Sequence, residues 1–213
     1  MSFDIVLHVG TLLAVIVYFR KDILNLFTTG KKTLIALFVA MLPAALVGVF
    51  FYNYIGSFFL EPKKTALLLM LNGLILISAS YVHVKLKVKK SEVSIKDGFY
   101  IGLGQVLGLF PGISRSGSTI SVGLFKRIEH RKVIVFSFLL SIFAISGAFF
   151  YEIVSGGLSL CGLNFKIASM GLLAAFISGI ISIRFLITAI RRKKLWAFGV
   201  YSIILGAVIY SIL

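Results

Sequence analysis

Charge is scarce in this chain. Only 14% of its 213 residues are Asp, Glu, Lys or Arg, against about 25% in a soluble globular domain. With 59% hydrophobic residues and 20 Phe, too little polar surface is left for a water-soluble exterior. A soluble enzyme and a disordered tail are therefore excluded. The single cysteine, Cys161, cannot form an internal disulfide, which excludes a disulfide scaffold. It reads as a small apolar residue near the end of a membrane span. The flank Ser2-Phe3-Asp4 has no positive charge, and Arg20 and Lys21 follow the first apolar run. That order is the reverse of a secretory signal peptide. Acids are scarcest of all, seven against 22 Lys and Arg for a net charge of +15, and none lies in the core of an apolar run. Asp4 and Glu152 sit at run ends, and Asp22, Glu61, Glu92, Asp97 and Glu129 read as loop residues.

What is present is apolar sequence in long runs. Six stretches, at 3–19, 33–60, 65–84, 133–154, 165–190 and 195–213, are long enough or nearly so to cross a hydrocarbon core of about 30 Å. The first is short, and Pro43 predicts a kink in the second. The segment 98–125 differs, with two short apolar arms around the polar elbow Pro111-Gly112-Ile113-Ser114-Arg115-Ser116-Gly117-Ser118-Thr119. Neither arm crosses alone, so the segment reads as a re-entrant hairpin, whose irregular backbone must be buried in protein or line a cavity. If it enters and leaves on one side, 17 basic loop residues fall on one face and three on the other. The positive-inside rule makes the rich face cytoplasmic. The fold class is thus an all-α polytopic membrane helix bundle, of about six full spans plus one re-entrant helical hairpin. Clustered between spans, the basic residues read as cytoplasmic loops and not as a nucleic-acid surface.

The order of elements suggests inverted-topology repeats within one integral membrane domain, 1–213. A first pseudo-repeat covers 1–84, a basic cytoplasmic loop 85–97, and a second pseudo-repeat 98–213. The second half is hairpin and three spans, whereas the first is three spans, so the expectation is that the first hairpin is missing before Ser2. Lys85–Lys90 are expected to meet anionic lipid headgroups, and Arg184 to snorkel to the cytoplasmic face. His8 reads as a packing residue, and His83 and His130 as interfacial.

The elbow carries the chemistry. Gly112 and Gly117 permit turns that aim backbone N–H groups at a ligand. Ser114, Ser116, Ser118 and Thr119 offer hydroxyls, and Arg115 a planar fork suited to two phosphate oxygens. A helix starting near Ser118 would add N–H donors. Arg115 has no evident counter-ion in the chain, so a bound anion would supply one; a packing turn of small residues is the alternative. Gly112-x-x-x-x-Gly117-Ser118-Thr119 is not a P-loop, because Ser118 stands where Lys is required. The lipid-phosphatase pattern with His six residues after the Arg also fails, since Ser121 holds that place. No metal ligands are visible near the elbow.

Gln105, the run Pro111–Thr119 and Phe136-Ser137-Phe138-Leu139-Leu140 closely resemble the undecaprenyl-diphosphatase family, also called the bacitracin-resistance protein family. The resemblance covers the whole chain. It implies a multi-pass enzyme of the bacterial cell membrane that hydrolyses undecaprenyl diphosphate to undecaprenyl phosphate and phosphate, recycling the lipid carrier for cell-wall synthesis. It implies catalytic roles for Arg115, Ser114 and Thr119, and substrate binding by Gly112, Ser116, Gly117, Ser118 and Gln105. It also implies a divalent cation, Mg²⁺ or Ca²⁺, and a polyprenyl diphosphate lipid as partner, with membrane lipids around the bundle and a homodimer among the expected assemblies. The family's Glu-rich motif, E-G-x-T-E-F-L-P-V-S-S-T-G-H, is expected upstream of residue 1 and is absent here. Two other readings stand beside the phosphatase: a polyprenyl-phosphate transporter or flippase, and an inactive truncated family member.

Overall fold

The computed structural model describes residues 2–28, 30–154 and 165–213; Cys161 lies outside them. Among the described residues the elements are α1 (Ser2–Tyr18), α2 (Arg20–Thr28), α3 (Lys31–Phe50), α4 (Tyr52–Phe59), α5 (Pro62–Lys85), α6 (Ile95–Leu107), α7 (Arg115–Phe125), α8 (His130–Val154), α9 (Phe165–Arg191) and α10 (Leu195–Ile212). Helix throughout is what hydrocarbon demands, because each helix satisfies its own backbone N–H and C=O groups. α3, α5, α8, α9 and α10 are long and apolar enough to cross a membrane, and α1 is the shorter apolar helix. The chain is a multi-pass membrane protein. Large apolar side chains such as Phe50, Leu60, Phe165 and Phe185 are accordingly exposed on its flanks.

The run expected over 33–60 is interrupted, but not at Pro43. Pro43 lies buried inside α3, and the break comes at Phe51, where φ is −115° and ψ 21°. A proline removes one helical hydrogen bond without necessarily ending the helix. The bend at Phe51 lets α4 turn away and lay Phe58 against Phe110, with ring centroids 5.1 Å apart.

Residues 98–125 form the expected hairpin, and its two ends are tied together. The Lys89 N–H donates to the Arg127 carbonyl at 2.9 Å, and the Glu129 N–H to the Lys90 carbonyl at 2.9 Å. Entry and exit therefore share one face of the molecule. Helix directions agree with that topology. α3 and α6 run parallel, Ala36 meeting Gly98 and Ala40 meeting Gly102. α1 and α9 are also parallel, while α5 and α10 cross antiparallel at Gly73 and Gly199. Each crossing uses residues small enough for backbones to touch, which is how helices associate where lipid is as apolar as protein.

Asp97 is not a loop residue. It sits in the first turn of α6, where Ser94 and Asp97 form a reciprocal capping box. Its carboxylate is 2% exposed and takes the Lys90 ammonium at 2.6 Å. Arg184 is exposed on α9. His8 is exposed on α1 rather than packed inside it. His83 and His130 meet edge to face, with ring centroids 5.3 Å apart.

Candidate functional site

The elbow is seated along one face of α5. A Cβ on Gly112 would meet the Thr65 carbonyl and Leu69, and one on Gly117 would meet Leu76; between them the Ser114 N–H donates to Asn72 Oδ1 at 3.1 Å. Thr65, Leu69, Asn72 and Leu76 follow one another at helical spacing and form a single stripe. Asn72 lies ten residues into α5 from Pro62, about 15 Å along the helix, so Ser114 is held near mid-membrane. The tip Phe110–Gly112 reaches toward the outer end of α5. With the basic face inside, the amino end of α7 points outward.

Gly112 adopts the left-handed conformation, φ +88°, as the tight elbow requires. Gly117 does not lie in a turn: it is the third residue of α7, because the helix starts at Arg115 rather than near Ser118. Ser114 is the N-cap, and its Oγ accepts from the Gly117 N–H at 3.1 Å. An earlier start follows from this cap, which satisfies an otherwise orphaned donor. The Ser118 N–H donates to the Ser114 carbonyl. Among the described residues no acceptor meets the N–H groups of Arg115 and Ser116, so these two donors of the first turn face the amino end.

Arg115 is partly buried, and the ion pairs among the described residues, Lys64–Glu61 and Lys90–Asp97, leave it out. Its stem is clamped from behind: a Cβ on Gly108 would lie 2.5 Å from Arg115 Cα and 2.8 Å from its Cβ. Ser114 is exposed and Ser116 partly buried, their hydroxyls 3.5 Å apart. Ser118 and Thr119 are turned inward. Ser118 Oγ donates to the Ser114 and Arg115 carbonyls, and Thr119 Oγ1 donates to the Arg115 carbonyl and pairs with Ser137 Oγ on α8 at 2.7 Å. Gln105 is 4% exposed, and its amide has no partner among the described residues.

The elbow thus gathers Arg115, Ser114, Ser116, Gly112 and Gly117, with Ser118 and Thr119 as internal braces. Reading the residue types did not single out Asn72. Its signal was available, since it is an amide in the middle of an apolar span, where polar side chains are expensive. The described residues do not fit a divalent cation. No group of three or more His, Cys, Asp or Glu that could hold one occurs among them, and the buried acid Asp97 is already bound to Lys90 and Ser94 at the hairpin base.

Fold and elbow together define a polytopic membrane protein whose re-entrant hairpin presents a cation and free N–H donors at mid-depth. The chain matches the bacitracin resistance protein BacA family over residues 1–208 and belongs to that family. An undecaprenyl-diphosphatase of Thermodesulfovibrio yellowstonii is 36% identical over 213 residues, covering 99% of this chain and 80% of the relative. One from Moorella thermoacetica is 36% identical over 220 residues, covering 100% and 83%. One from Bacillus subtilis is 32% identical over 225 residues, covering 100% and 82%.

Proposed function

We infer that this chain is an undecaprenyl-diphosphate phosphatase of the cell membrane, releasing phosphate and returning undecaprenyl phosphate to the lipid-carrier pool of cell-wall synthesis. One observation carries the reading: Arg115 opens α7 beside Asn72, midway along the apolar helix α5, and no acid among the described residues pairs with it. A cation held there is costly without an anion. A lipid diphosphate brings the charge to the right depth while its prenyl chain stays in hydrocarbon.

In this reading Arg115 grips two oxygens of the diphosphate. The N–H groups of Arg115 and Ser116 and the dipole of α7 add positive potential at the same place. Ser114 and Ser116 hydrogen-bond the terminal phosphoryl group, and Gln105 is a further donor for it. Water attacks the terminal phosphorus, the bond to the bridging oxygen breaks, and the electron pair leaves with the prenyl monophosphate. Arg115 stabilises the negative charge that builds on the transferring group. Thr119 acts from behind, holding α7 to α8 through Ser137. A divalent cation belongs to the proposal through the family resemblance; since the described residues offer it no ligand set, no step is assigned to it.

The reciprocal crossing of α5 and α10 supports the inverted pseudo-repeats 1–84 and 98–213. Gly73 meets the Gly199 carbonyl and Ile203, while Gly199 meets the Gly73 carbonyl and Ile77. The test is phosphate release from undecaprenyl diphosphate by the purified chain in proteoliposomes, with transbilayer movement of the lipid followed alongside. Arg115→Ala is expected to lower release by about 10²-fold or more. Lipid movement without phosphate release would replace the phosphatase by a transporter. Release that ignores Arg115→Ala would remove the elbow from the reaction.

A further inference from the structure

We propose that Asn72 is a positioning residue of the phosphatase site, a buried amide that ties the backbone of Ser114, and with it the aim of Arg115, to the crossing of α5 and α10. This rests on the reading above. Asn72 is 3% exposed and joins three elements. Its Oδ1 accepts from the Ser114 N–H at 3.1 Å, and its Nδ2 donates to Ser202 Oγ on α10 at 3.1 Å. The orientation of the amide is dictated by its partners. The Ser114 N–H can only donate and so claims the oxygen, which leaves the nitrogen for a hydroxyl able to accept.

The other contacts of the elbow with α5 do not fix a direction. Gly112 rests on Thr65 and Leu69, and Gly117 on Leu76, and close packing of that kind lets one surface slide on another. Turns inside the elbow, such as Ile113 N–H to the Phe110 carbonyl, move with it. The bond from Asn72 is the directional link from α5, and it lands on the residue before Arg115, whereas the Thr119–Ser137 bond to α8 holds α7 one turn further on. Were packing the only need, a leucine would complete the stripe of Leu69 and Leu76 without the burden of a buried amide. Ser202 pins the far side one turn from Gly199, where the backbones of α5 and α10 touch. The elbow is thereby registered to a rigid helix pair rather than to the hairpin alone.

The test uses the full chain in detergent with undecaprenyl diphosphate, comparing wild type, Asn72→Leu and Ser202→Ala. Binding of inorganic pyrophosphate by thermal shift is measured in parallel. Asn72→Leu is expected to lower kcat about 10- to 100-fold while KM changes less than about 3-fold, since the charge of Arg115 is kept and its aim is lost. Its melting temperature is expected to stay near wild type. Ser202→Ala, which keeps the acceptor for Ser114 but frees the amide, is expected to lower kcat about 2- to 5-fold. A kcat per folded molecule within 2-fold of wild type in Asn72→Leu overturns the proposal. If Asn72→Leu does not fold, Ser202→Ala decides, and wild-type kcat there overturns it. If wild type releases no phosphate, the phosphatase reading fails by itself. The pyrophosphate affinities then judge Asn72: a weakening of about 2-fold or more in Asn72→Leu, in keeping with the small change expected in KM, supports it, and binding equal to wild type sinks it.

Discussion

At the scale of single residues, Gly112 and Asp97 are where sequence chemistry and local geometry meet most directly. Gly112 combines a positive φ with a backbone pressed against Thr65, whose carbonyl would lie 2.6 Å from an added Cβ. Gly112→Ala therefore carries backbone strain of about 1–3 kcal/mol, and the clash comes on top. The expected outcome is a lower thermal midpoint together with phosphate release reduced at least about 10-fold, read from melting curves and turnover on the same preparation. Asp97 works by electrostatics at the base of the hairpin. Burial pushes its carboxyl up, but the hydrogen bonds from Lys90 and Ser94 outweigh burial and hold it below its ordinary value. A depressed carboxyl contributes stability above the unfolded value of about 4, and that stability is lost as pH falls through the folded value. Melting temperatures followed from pH 6 downward should accordingly drop in wild type below about pH 4 and drop less in Asp97→Asn, which starts from a lower plateau.

At the scale of elements, α6 shows how little side chain a membrane contact needs. Gly98 and Gly102, one helical turn apart, lie on the backbone of Ala36 and Ala40 of α3, a pairing of two small-xxx-small faces. Gly102→Leu cannot be accommodated, because its Cβ would enter the Ala40 carbonyl. The expected result is loss of monodisperse protein on size exclusion, with Gly48→Leu, whose Cβ meets nothing within 4 Å, behaving as wild type. These crossings explain what could be read in advance and what could not. The hairpin was legible because its arms are too short to cross and its flanking charges demand a return to the same face. α7 starts three residues before Ser118, since nothing in the string Ser114-Arg115-Ser116 says which serine will cap. That choice depends on where the Ser114 N–H finds Asn72, 42 residues away.

For the whole molecule, the shared hairpin mouth of Lys90 and Ile128 puts the basic loops on one face, and the positive-inside rule predicts that this face is inside. In a Cys161→Ser background, Lys63→Cys should react with a membrane-impermeant maleimide on intact cells. Lys87→Cys and Arg192→Cys should react only after permeabilisation. Labelling of all three from outside would break the topology. Which segments enter the bilayer, which face holds the basic loops and which elbow carries a cation all follow from hydropathy and charge, since these are properties of residues against a solvent that is the same everywhere along the chain. Which serine caps α7, which hydroxyls turn inward and which amide braces the elbow are settled only when α5, α7, α8 and α10 come together, because a hydrogen bond is a relation between two positions and its energy depends on distance and angle that no single residue carries.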